Sequence, residues 1–252
     1  MGETIVFTSG KGGVGKTTTI ANIGAGLSRL DKKVVMLDTD MGLRNLDVVM
    51  GLEDRINYNL LDLLDNKCRV NQALIRDKRF PNLFLIPASL KTIPLEQYEQ
   101  QFKVLLTHLK SEFDYCLIDC PAGIDQGFHF AVSTADRAIL LTTPHISAIK
   151  DAGRALQFLN GTKISKTELI INDYDEKLVR KRYMLSKKDI AELFDIPILG
   201  VIPRDAKIMA SQNKGVPVIS MHSKAGKCFF ALSKQIVSEN IWEGEGLTYD
   251  FS

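Results

Sequence analysis

No stretch of the 252 residues approaches the run of about 18 apolar side chains that a membrane-spanning helix needs. The N-terminus passes almost directly into a short apolar segment, without the charged and apolar regions of an export signal. We therefore expect a protein that is neither secreted nor membrane-spanning, and cytoplasmic by default. Cysteine is scarce: Cys68, Cys116, Cys120 and Cys228 form no C-x-x-C pair and no zinc spacing, so reduced thiols are expected rather than a disulfide scaffold. The four histidines, 108, 129, 145 and 222, show no H-E-x-x-H or similar arrangement, which argues against imidazole-ligated metal. A formal net charge of +2 with 25% charged residues gives no bulk attraction for nucleic acid. Repeats, low-complexity tracts and linkers are absent too. At about 150 residues per domain the length allows one or two, and we expect one, residues 1–242, followed by a tail, 243–252.

What the sequence does have is glycine in one place. Gly10-Lys11-Gly12-Gly13-Val14-Gly15-Lys16-Thr17-Thr18 fits the pattern G-x-x-x-x-G-K-[ST]. The apolar run Ile5-Val6-Phe7 precedes it, and an apolar stripe of Ile20, Ile23, Ala25 and Leu27 follows at helical spacing. Converging backbone N–H groups on phosphate oxygens requires glycine wherever a Cβ would block approach or forbid positive φ. The phosphate then rests on the positive end of the helix that begins at Thr17. Lys16 would reach the β- and γ-phosphates, the Thr17 hydroxyl would ligand Mg2+, and Thr18 would add a nearby donor.

Further along, Lys33 to Leu37 reads as a strand buried on both faces and ends on Asp38-Thr39-Asp40. Carboxylates at the carboxyl end of a parallel strand lie where open α/β sheets bind ligands, and an i, i+2 spacing points both the same way. Turn and N-cap chemistry is the competing reading for Asp38 and Asp40. Residues 57–65 read as a short helix, 82–87 as a strand, and Pro94 to about Phe113 as a long helix whose Tyr98, Phe102, Leu105, Leu106 and Leu109 form a core stripe. The segment Asp114 to Gly123 is an apolar strand ending in Asp119, then Cys120-Pro121-Ala122-Gly123; it reads as a metal-holding Walker B strand whose Gly123 N–H can approach the γ-phosphate. Strands over 137–143, 169–172 and 196–203, and helices over 147–159, from Ala206 and from Lys224, complete an alternation that implies a doubly wound, mostly parallel sheet with helices on both faces, in the α/β class.

The second lysine of the loop, Lys11, narrows the reading. Lys11-Gly12-Gly13-Val14-Gly15-Lys16-Thr17-Thr18 resembles the deviant Walker A motif of the MinD/ParA superfamily of P-loop ATPases, and Met41 to Gly51 resembles the switch I segment of its MinD branch. The resemblance runs through about Ile241. It implies ATP and Mg2+ as ligands, slow hydrolysis, and an ATP-dependent homodimer in which Lys11 crosses to the partner's phosphates; for Lys11 alone, an ordinary solvated lysine is the alternative. It also implies that Asp40 orients the attacking water, that Asp38 supports the magnesium and water network alongside Thr17 and Asp119, and that Gly123 belongs to switch II. In the same way Asn172 is expected to read adenine, with Pro203 and Asp205 in the loop flanking the base; a turn role for Asn172 competes. Asp151 would face regulatory partners, a MinC-like division inhibitor and a MinE-like activator, with a plain solvated aspartate as the alternative. The implied task is placement of the division septum.

Two other classes stay open on sequence. A nucleoid-binding partition protein would use a basic run such as Lys177, Arg180, Lys181, Arg182, Lys187 and Lys188, and within the same superfamily a flagellar-number ATPase stays open as well. An iron–sulfur carrier would need paired thiolates, whereas Cys116 and Cys120 look like core thiols. At the C-terminus the sequence departs from MinD relatives, which end in a basic amphipathic helix. Residues 239–252 hold four acids and no base around Trp242, Leu247, Tyr249 and Phe251, so direct membrane contact is expected to be weak.

Overall fold

A computed structural model describes residues 1–238; the expectations for Ile241, Trp242 and the tail 243–252 lie outside the described residues. Eight strands form one sheet: β1 (Glu3–Thr8), β2 (Val34–Asp38), β3 (Ile75–Arg76), β4 (Leu83–Ile86), β5 (Tyr115–Asp119), β6 (Arg137–Thr142), β7 (Lys166–Tyr174) and β8 (Ile198–Pro203), in the order β3-β4-β2-β5-β1-β6-β7-β8. All neighbours are parallel except β3 and β4, which pair antiparallel.

The continuous apolar runs are explained by burial on both faces. In β1, Ile5 and Phe7 enter one core and Val6 the other; in β2, Val34 and Met36 oppose Val35 and Leu37 in the same way. The first core lies under α1 (Lys16–Arg29) and the C-terminal helix, α11 (Lys224–Ser238), which pack on each other. Between α1 and α11 the chain adds α2 (Leu46–Met50), α3 (Leu60–Leu64), α4 (Val70–Ala73), α5 (Glu99–Glu112), α6 (Gln126–Val132), α7 (Ile146–Leu159), α8 (Glu176–Arg180), α9 (Lys187–Leu193) and α10 (Ala206–Gln212). Side chains of α5, α6 and α7 close the second core.

Several boundaries differ from the sequence expectation for local reasons. The long helix does not begin at Pro94: a 3-10 turn, Glu96–Tyr98, intervenes and α5 starts at Glu99. Phe102, Leu105, Leu106 and Leu109 are buried as the stripe requires, but Tyr98 is only half-buried and its hydroxyl donates to Asp65 at 2.7 Å. The helix expected over 57–65 spans only Leu60–Leu64 because Asn59 caps it: its Oδ1 accepts from the N–H groups of Leu61 and Asp62 while Asp62 accepts from that of Asn59. Among the described residues no helix is long and apolar enough to cross a membrane.

Candidate functional site

The parallel strands converge their carboxyl ends on the glycine-rich loop, because β5 and β6 flank β1 and β2 lies beyond β5. Gly15, with φ of 95°, caps α1, and Lys16 is that helix's first residue. Gly10 has a different task from its neighbours. A Cβ there would lie 2.0 Å from the Asp151 carbonyl oxygen, so the loop is pressed against the backbone of α7 and only glycine fits. Gly12 and Gly13 open to solvent, and Val14 is buried in the core under α1.

Lys16 is 9% exposed and acts electrostatically on Asp40 and Asp119. Asp38 and Asp119 stand in register on adjacent strands, and both are buried. Burial first, and then the charge of Asp119, pushes the Asp38 carboxyl up to about 8, opposed by the N–H groups of Asp40 and Leu46 that donate to it at 2.9 and 3.2 Å; the Asn45 N–H also donates to it, at 3.2 Å. Burial likewise raises Asp119 to about 6, opposed by Lys16 and a hydrogen bond from the Thr17 side chain. Asp40 is raised by burial and lowered by Lys16, with Asp125 opposing it. Asp125, at the N-terminus of α6, is a member of the site that sequence reading missed. Its only sequence signal was an acid just before a short helix.

This donor set fits a magnesium ion held with phosphates. Asp119 Oδ1 is buried without a partner, two carboxylates crowd one position, and the Thr17 side chain reaches the same place. Among the described residues no group of three or more His, Cys, Asp and Glu stands ready for a metal, so phosphate oxygens and Thr17 would have to complete the coordination.

The base side of the site is partly as expected. The Asn172 side-chain amide donates to the Val14 carbonyl at 2.8 Å and lies against Gly15, while its Oδ1 is buried and unpartnered. An orphaned acceptor is what an exocyclic amine would satisfy. Pro203 ends β8, but the Asp205 carboxylate is occupied in structure: it caps α10 through the Lys207 N–H at 2.9 Å and accepts the Ala225 N–H of α11 at 3.1 Å. The Asp205 backbone carbonyl is engaged as well, accepting the Ile208 N–H at 3.0 Å. Arg204 beside it grips Asp173 through two bonds of 2.8 and 2.7 Å.

Three other expectations meet altered geometry. The Gly123 N–H donates to the Ser9 carbonyl at 3.1 Å, so it is engaged rather than open to a phosphate. The Thr18 hydroxyl accepts from the Gln212 amide at 2.6 Å, which makes it a tie to α10. Lys11 is exposed and points away from its own loop, its Nζ donating to Ser147 Oγ at 3.4 Å at the start of α7. Asp151, on that helix, is half-buried and 3.5 Å from Arg154. Cys116 and Cys120 are buried with thiols pushed up to about 12 by burial, core groups rather than cluster ligands.

Residues 2–175 match the family described as the AAA domain. The septum site-determining protein MinD of Synechocystis sp. is 45% identical over 243 residues, which cover 96% of this chain and 91% of that protein. This chain belongs to the MinD family of septum site-determining proteins. A MinC:MinD cell division protein complex from Aquifex aeolicus superposes with a TM-score of 0.87 at 37% identity, covering 98% of each chain. The MinD of Pyrococcus horikoshii, solved with Mg-ADP, superposes at 0.81 with 29% identity, covering 96% of this chain and 98% of that one. The MinD match favours septum placement over the partition alternative built on the basic run.

Proposed function

We propose that this MinD-type site binds Mg-ATP, hydrolyses it slowly, and uses the γ-phosphate to hold two copies of the chain together. The observation that carries the reading is the buried pair Asp38 and Asp119 beside Lys16 and Thr17 at the N-terminus of α1. In it, Lys16 and the loop N–H groups would neutralise the phosphates, Thr17 and Asp119 would hold the magnesium, and Asp38 keeps the switch segment folded through the N–H groups it accepts. Asp40, half-buried and within the field of Lys16, orients the water. Magnesium supplies charge neutralisation at the phosphates when bound. Gly123 would release Ser9 to donate to the γ-phosphate, and Asn172 Oδ1 would accept from the adenine amine.

Lys11 reaches the partner copy's phosphates, a reading that its exposure and its contact with Ser147, outside its own loop, support. The Aquifex MinD in complex with MinC supports a MinC-like inhibitor as partner. Our reading adds Asp151 on α7 as a contact and a MinE-like activator on the same face. Membrane contact through the acidic tail is weak or indirect, at the inner face of the cell membrane. The test is ATP turnover with and without Mg2+ in the wild type and in Lys16→Ala. Turnover confined to the wild type with Mg2+ supports the assignment; equal turnover in Lys16→Ala overturns it.

A further inference from the structure

Arg79 lies in the turn between β3 and β4, remote in sequence from every motif of the nucleotide site. Its guanidinium is held by Asp77, which is 1% exposed, through bonds of 3.0 Å from Nε and 2.6 Å from Nη2. So fixed, it spans two other segments: Nη2 also donates to the carbonyl of Met50, the last residue of α2, and Nη1 donates to the carbonyl of Gly215, just past α10, at 2.8 Å. At that junction the two backbones touch. Gly51 and Gly215 have φ of 60° and 58°, and a Cβ on either would lie 2.7 Å from main-chain atoms of the other. Three segments are thus locked at one point with no room for slack.

Each tied segment leads to one side of the site. The N-terminal end of α2 supplies the Leu46 N–H, beside that of Asn45, to Asp38 Oδ2. At the other end, α10 begins at Ala206, capped by Asp205 after the loop flanking the expected base, and closes with Gln212 on Thr18 Oγ1. A five-residue helix has no stability of its own and keeps its place only through tertiary contacts.

We propose that Arg79 is a positioning residue that sets Asp38 and Asp40 for hydrolysis by pinning the C-terminal end of α2 to the turn after α10. This deepens, and rests on, the reading of the site as an ATP hydrolase. The experiment compares Arg79→Ala and Arg79→Lys with Arg29→Ala. Arg29 provides a matched control, because its guanidinium also bridges elements, donating to the Ile219 carbonyl at 2.9 Å and lying over the ring of Phe80, next to Arg79, but making no bond to Met50 or Gly215.

Arg79→Ala should lower kcat about tenfold while changing the Kd for Mg-ADP by no more than about twofold, since the switch segment and not the phosphate loop is loosened. Hydrogen exchange of backbone amides in residues 41–51 should speed up about tenfold or more, with β1 unchanged. Arg79→Lys, which can serve one carbonyl but not both, should fall between wild type and alanine, and it stands in if the alanine variant does not fold. Arg29→Ala should alter neither kcat nor exchange in 41–51. Equal behaviour of the Arg79 and Arg29 variants overturns the proposal, as does loss of Mg-ADP affinity in step with kcat. If the wild type fails to hydrolyse ATP, the functional reading falls, and the exchange measurement still decides whether Arg79 holds the switch segment.

Discussion

Asp38 and Asp119 occupy paired positions at the carboxyl ends of β2 and β5, two buried carboxylates on neighbouring strands of one parallel sheet. Without a cation both are held above the ordinary carboxylate range, to about 8 and about 6. A carboxyl whose folded pKa is raised favours folding in its protonated form. The stabilisation is complete below the unfolded value near 3.8 and disappears as pH rises through the folded values. The nucleotide-free protein should therefore lose stability between about pH 4 and pH 8 from these two groups and level off above that. Asp119→Asn should flatten this fall and raise the nucleotide-free melting temperature at pH 8, by roughly 2–4 °C per kcal/mol relieved. The same variant should lose the extra stabilisation that Mg2+ gives in the presence of ADP. Thermal melts across pH, with and without Mg-ADP, check both.

Lys16 and Asp40 should separate binding from turnover. Lys16→Ala removes the charge that neutralises the phosphates and should abolish measurable ATP binding by calorimetry. Asp40→Ala should bind Mg-ATP within a fewfold of wild type and lose hydrolysis by about 10²-fold or more, the usual scale for a positioned acid or base. An Asp40→Ala enzyme with unchanged turnover would remove Asp40 from the chemistry.

Gly10→Ala should destabilise the protein even without nucleotide. The new methyl would meet the Asp151 carbonyl at 2.0 Å, a Cβ against helix backbone that cannot yield. The expected cost is about 1–3 kcal/mol or more, read as a lowered melting temperature without nucleotide. An unaltered melting temperature would mean that the loop does not rest on α7.

Asn172 should carry base selection. Its orphaned Oδ1 suits the amine of adenine and not the carbonyl that guanine presents at the same place. Asn172→Ala should reduce the preference for ATP over GTP by about tenfold, the worth of one buried hydrogen bond. Competition binding with fluorescent ADP measures it; an unchanged preference would return Asn172 to a purely structural tie to Val14.

Much of this site is legible in the sequence because its signals are local. The loop from Gly10 to Thr18 and the strand ending at Asp119 are each strand, turn and helix chemistry written within ten residues. The parallel sheet follows from apolar runs that are buried on both faces, as Ile5-Val6-Phe7 proves to be. What could not be read depends on distant partners. The reason for Gly10 lies at Asp151, the tie on Thr18 comes from Gln212, and Asp125 matters because α6 brings it near Asp40. Short elements were missed for want of a period: Ile75–Arg76 and Leu46–Met50 are too brief to show one. Arg79 carried no sequence signal, since its role exists only where Met50 and Gly215 meet.

ATP bound at this site is proposed to join two copies of the chain, with Lys11 acting across the interface. Light scattering coupled to gel filtration on Asp40→Ala tests it most directly, because turnover no longer consumes the ligand. Mg-ATP should give a species of twice the monomer mass, about 56 kDa from a 28.1 kDa chain, while Mg-ADP leaves the monomer. Adding Lys11→Ala should return the ATP-bound protein to monomer. A dimer that forms equally with ADP, or that persists without Lys11, would contradict the account.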